Sequence, residues 1–205
     1  MQLSYVSDGP DKVVDIRGRM PAARRRQVAP NGVIGTLLFV MAEVMLFAGF
    51  ISAHAVAKTT ALSGWPPPNQ PRLPVEETAV NTAALLLSGA ALAYAYRVYL
   101  RDVRRARVPF LIALLLGCFF VAFQGVEWLS LLREGLTVTS STHGAFFYLI
   151  VGCHALHAVA ALIVLALQYR QLLLDRLSPG AFAGAQVFWF FVVGMWPVLY
   201  WKVYF

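Results

Sequence analysis

Apolar residues in this chain fall in long runs rather than at the alternating or one-faced spacings of a soluble strand or helix. From Val33 to Ala57 the ionisable residues are Glu43 and His54, and from Gly135 to Tyr169 there is no acid, lysine or arginine. A helix crossing a bilayer needs about 20 mostly apolar residues. The pattern predicts five such spans, at about 33–57, 79–96, 108–132, 144–167 and 181–201. The second is short, rich in small residues and bounded by Glu77 and Arg97, and the third carries one acid, Glu127, towards its end. All five read as helices, because an open strand would leave its backbone groups unpaired in lipid. The expected fold class is all-α: a polytopic membrane bundle of five transmembrane helices. Residues 1–31 form a basic cytoplasmic tail and 32–205 one membrane domain, with no internal repeat.

Composition agrees. Hydrophobic residues make up 59% of the 205 and charged residues 13%, against about 25% charged in an ordinary soluble domain. So much apolar surface excludes a soluble enzyme, and the abundance of aromatic and branched residues excludes disorder. The formal net charge of +7 would suggest nucleic acid in a soluble protein, but here the arginines flank hydrophobic runs, which points to the membrane surface instead. Thirteen of the Lys and Arg residues fall in the tail, the second connection and the fourth connection. Only Lys58, Arg72, Arg133 and Lys202 fall on the other side. Positive charge stays inside, so the N-terminus is expected in the cytoplasm and the C-terminus outside. The tail does not read as a signal peptide: the apolar run after it is too long and holds Glu43. The loop from Lys58 to Thr78, with Trp65-Pro66-Pro67-Pro68, reads as an extended outer cap. Cys118 and Cys153 lie inside apolar runs and read as small buried side chains, not a disulfide.

Ionisable groups at membrane depth cost about 2.5–3.5 kcal/mol at a helix centre, so they mark places to look for chemistry. Glu43 lies about ten residues into its span, roughly 15 Å deep at 1.5 Å per residue. His154 and His157 reach a matching depth from the other face and share one side of the fourth span. Either one is therefore a candidate partner for Glu43. Gln124 and Glu127 share a face of the third span nearer the outer surface, close in depth to His143. Three readings are open: hydrogen bonds that tie helices together, a proton relay, or a metal site using His-x-x-His and the two acids. The acids lack the Glu-x-x-His spacing of di-iron bundles, and no metal or catalytic site is expected in this chain. In the last span Trp189, Trp196, Tyr200, Trp201 and Tyr204 follow no tight stripe, and those near the C-terminus fit an interfacial belt. Pro197 should kink that helix. Ser88, Gly89 and neighbouring alanines give the second span a smooth face for close contact.

Several ordered segments resemble one family, subunit III of haem–copper terminal oxidases (cytochrome c oxidase and its quinol-oxidase relatives). They are Ala42-Glu43-Val44-Met45-Leu46-Phe47, Trp65-Pro66-Pro67, Asn81-Thr82, Gln124-Gly125-Val126-Glu127-Trp128, His143-Gly144-Ala145-Phe146-Phe147 and Gly152-Cys153-His154-Ala155-Leu156-His157. The chain is similar to the short, five-helix bacterial form. It departs from the family pattern at Phe190 and Val193, where His and Asp are usual, at Ala155, where Gly is usual, and at His143, where Tyr is common. The resemblance implies a non-catalytic core subunit of a respiratory oxidase that passes electrons from cytochrome c to oxygen in the bacterial inner membrane. It implies haem and copper in the partner subunits and none here. It also implies packing on oxidase subunit I, with subunit II and other respiratory-chain subunits nearby, bound phospholipid, and a role in sustaining proton uptake and enzyme longevity. Glu43, His154, His157, Gln124 and Glu127 are the intramembrane polar residues to place. A small proton-linked transporter, or the related subunit associated with nitric oxide reductase, is the alternative.

Overall fold

The computed structural model describes residues 31–62, 64–67, 71 and 73–204. The expected basic tail lies outside them, apart from Asn31, where the first helix begins. Five helices follow in order: α1 Asn31–Thr60, α2 Val75–Tyr99, α3 Arg107–Arg133, α4 Thr142–Leu173 and α5 Pro179–Tyr204. Each is long and apolar enough to cross a membrane, and no strand occurs among the described residues.

Every helix outruns the apolar stretch that predicted it, because helices continue into the interface where polar side chains are solvated. α2 begins at Val75, ahead of its apolar run, and carries Glu76 and Glu77 in its first turn, where negative charge complements the helix dipole. α4 begins behind Ser141, whose Oγ accepts the Gly144 N–H at 3.0 Å. That is an N-cap satisfying one orphan donor. Between α2 and α3, Asp102 Oδ1 accepts the backbone N–H groups of Arg104 at 2.9 Å and Arg105 at 3.3 Å, forming the tight turn. α5 runs through Pro197 as one continuous helix.

The helices do not share contacts equally. α5 packs against α1, α2 and α4, while α2 lies on α3 and α3 on α4. The core sits where these meet, around fully buried Leu85, Leu92, Phe110, Phe120, Phe147, Trp189 and Trp196. Two glycines set how closely helices approach: a Cβ on Gly117 would fall 2.8 Å from both Leu162 and Trp189, and one on Gly89 would fall 3.0 Å from Val193. The smooth face expected of α2 is thus used, by α5. α1 is marginal. Only Phe47 and His54 of its described side chains are buried, and Leu38, Met41 and Met45 point outward.

Two sequence expectations are corrected. Cys118 is exposed on α3 rather than buried; both cysteines are free, as expected. The aromatic residues of α5 are not all an interfacial belt: Trp201 is exposed, but Trp196 and Tyr204 are buried. Trp189 and Trp196 stand seven residues apart and so lie on one face, which points at α2.

Candidate functional site

The polar side chains gather in three places along the bundle. At mid-depth, Glu43 of α1 meets His157 of α4, with Oε2 3.0 Å from Nε2. The approach is close but oblique to the ring N–H, so the carboxyl oxygen lacks a well-aligned hydrogen bond. The other ring nitrogen, Nδ1, stands 2.8 Å from the Cys153 carbonyl. A carbonyl can only accept, so Nδ1 carries a hydrogen. With Nδ1–H turned to that carbonyl, Nε2 is the ring atom that faces Glu43. Phe47 and Phe191 line the ring of His157 at 5.7 and 6.0 Å between centroids.

Of the two histidines at matching depth, His157 is the partner and His154 is not. His154 turns into the core, with its ring 5.0 Å from that of Trp196 and tilted by 31°. It is 1% exposed, and neither ring nitrogen has a hydrogen-bond partner. Its place is that of a packed aromatic ring.

Nearer the other end of the bundle, Glu127 and Gln124 of α3 meet α2 and α5. Gln124 Nε2 donates to Glu127 Oε2 at 2.7 Å and reaches the Tyr204 hydroxyl at 3.4 Å. Thr78 Oγ1 lies 3.1 and 3.2 Å from the two carboxyl oxygens of Glu127. Asn81 Nδ2 donates to the Phe120 carbonyl at 3.2 Å and to Gln124 Oε1 at 3.4 Å. His143, expected beside this group, instead faces Trp65 at 5.1 Å, and His54 faces the same indole at 5.3 Å. Trp65 thus caps the bundle between two buried histidines, which is the role expected of its loop.

A third set, which sequence reasoning missed, ties α5 to α2. The Trp189 indole donates to Ser88 Oγ at 3.1 Å and the Trp196 indole to Thr82 Oγ1 at 2.8 Å. Ser88 in turn donates to the Ala113 carbonyl of α3 at 2.7 Å. The available signal was a pair of similar spacings: Trp189 and Trp196 are seven residues apart, and Thr82 and Ser88 are six apart on the facing helix. Among the described residues no cluster of three or more His, Cys, Asp or Glu side chains is arranged to hold a metal ion.

Residues 16–205 match the cytochrome c oxidase subunit III family. The chain belongs to that family. It is 33% identical over 183 residues to the probable cytochrome c oxidase subunit 3 of Nocardia farcinica, covering 86% of this chain and 89% of that one. It is 32% identical over 179 residues to human cytochrome c oxidase subunit 3, covering 83% of this chain and 67% of that one. Membership makes it a core membrane subunit of a haem–copper oxidase complex. Of the departures from the family pattern, Phe190 is exposed on α5, whereas Val193 fills the space over Gly89.

Proposed function

We propose that this subunit III is non-catalytic. It packs on oxidase subunit I beside subunit II, binds phospholipid and prolongs the working life of an enzyme that carries electrons from cytochrome c to oxygen. Haem and copper belong to those partners. The bundle sits in the bacterial inner membrane with its N-terminus in the cytoplasm and its C-terminus outside, on the strength of the asymmetric distribution of arginine and lysine.

One observation carries the non-catalytic reading: the intramembrane acids are engaged between helices. Glu43 closes α1 onto α4 and Glu127 closes α3 onto α2, the use expected of polar groups that hold a membrane bundle together. Unbroken helices do not support a transporter, whose sites are built from interrupted ones. Lipid binding is supported by a groove of about 550 Å³ between α1, α4 and α5, lined by Gly35, Phe39, Val164, Gly184 and Phe188. Its small residues leave room for an acyl chain.

Deleting this chain tests the reading. The remaining oxidase should keep its haem spectrum and its initial rate with cytochrome c but lose activity faster over successive turnovers. Loss of the haem spectrum or of the first turnover would mean that the chain helps to build the catalytic centre.

A further inference from the structure

A pocket of about 150 Å³ lies between α3 and α4, away from the groove between α1, α4 and α5. Phe120, Val121 and Trp128 line it from one face of α3, Val151 and His154 face them from α4, and Trp196 of α5 borders it as well. Its mouth is set by two small residues, Gly125 and Ala155. Gly125 is exposed on the outside of the bundle, and a Cβ there would meet no atom within 4 Å. On a helix of this apolarity the outside is lipid, so the pocket opens to the bilayer.

Three of the lining side chains carry polar atoms. The Gln124 amide is already engaged, Nε2 with Glu127 at 2.7 Å and Oε1 with Asn81 at 3.4 Å. His154 is 1% exposed with neither ring nitrogen hydrogen-bonded, and the buried Nε1 of Trp128 also has no partner. A neutral imidazole offers one N–H and one lone pair, and an indole offers one N–H. Groups of this kind left unmet in an apolar interior are costly. The chemistry of the walls restricts what can meet them. Water takes about 30 Å³ per molecule and needs about two to four polar partners each, so the pocket has volume for several waters but partners for one. An acyl chain fills the space and leaves both side chains unpaired. A cavity of about this volume with apolar walls accepts a single benzene ring, and Phe120, Trp128 and Trp196 give such a ring aromatic neighbours.

We propose that this pocket binds a neutral, membrane-dissolved molecule built on one six-membered aromatic ring with a hydroxyl group, a phenol by class. The ring enters from lipid past Gly125 and Ala155 and lies among the aromatic walls. Its hydroxyl donates to the lone pair of His154 and accepts from the N–H of Trp128, one polar atom for the two groups that have none. Any substituent on the opposite side of the ring points back through the mouth into lipid. His154 thus sets specificity: a phenylalanine in its place would leave a pocket for rings without preference for the hydroxyl.

Fluorine NMR of the full chain, in the assembly with which it purifies, tests this with two probes, 4-fluorophenol and fluorobenzene. Both should give a bound resonance distinct from probe dissolved in detergent. A Gly125→Leu, Ala155→Leu double variant, which narrows the mouth from the lipid side, should lose that resonance for both. His154→Phe should weaken 4-fluorophenol about fivefold, the effect of losing one hydrogen bond, and leave fluorobenzene unchanged. Trp128→Phe should do the same, and it reads the same loss should His154→Phe not fold. Binding of both probes to the double variant as to the unaltered protein would overturn the placement in this pocket. Binding of 4-fluorophenol that neither His154→Phe nor Trp128→Phe weakens would overturn the recognition of the hydroxyl, and with it the proposal.

Discussion

Glu43 and His157 lie 114 residues apart in sequence and meet because two helices enter the membrane from opposite faces. Their common depth was legible in the sequence, from residue counting and the rise of a helix. The choice between His154 and His157 was not. The two share a helical face, and only the packing of Phe47 and Trp196 turns His154 into the core and leaves His157 towards α1. An amide has nearly the size of the acid and can still present a polar group to the ring at the same place. Glu43→Gln is therefore expected to assemble and to unfold at nearly the wild-type temperature. Glu43→Leu removes the polar side chain that closes α1 onto His157 and should cost about 1–3 kcal/mol, read as a lower midpoint in thermal unfolding of the purified protein. Equal midpoints for the two variants would remove the polar contact from the account.

The five helices were legible because continuous apolar runs of sufficient length have few other uses. Their ends were less so, since a helix continues past the apolar limit into the interface, as α2 does through Glu76 and Glu77. The ties between elements were the least legible. Trp196 and Thr82 are 114 residues apart, and nothing local to either marks the other. Their exchange of a hydrogen bond across α2 and α5 is testable by a double-mutant cycle with Trp196→Phe and Thr82→Val. Such bonds in membranes are worth about 0.6 kcal/mol on average and about 1.7 at most, so a coupling energy in that range is expected. Additive effects of the two substitutions would show that the indole contributes packing alone.

At the scale of the whole molecule, α1 is the least enclosed helix, attached through α5 and α4 with most of its side chains facing outward. An exposed apolar face on a membrane helix meets either lipid or another subunit, which is the position expected of one chain in a larger assembly. The proposed direction of insertion rests on thirteen basic residues on one side against four on the other. A reporter fused after Phe205 should be active outside the cell membrane and one at the N-terminus inside it. Both on the same side would require an even number of crossings, contrary to the five helices. The claim that unites these scales is that the chain is a working part of a haem–copper oxidase. It is tested most directly by extracting the affinity-tagged chain gently from its native membrane and recording the visible spectrum of what comes with it. Haem absorbance in fixed proportion to the chain, retained through size-exclusion chromatography, is the predicted result; a folded chain that emerges without haem would contradict it.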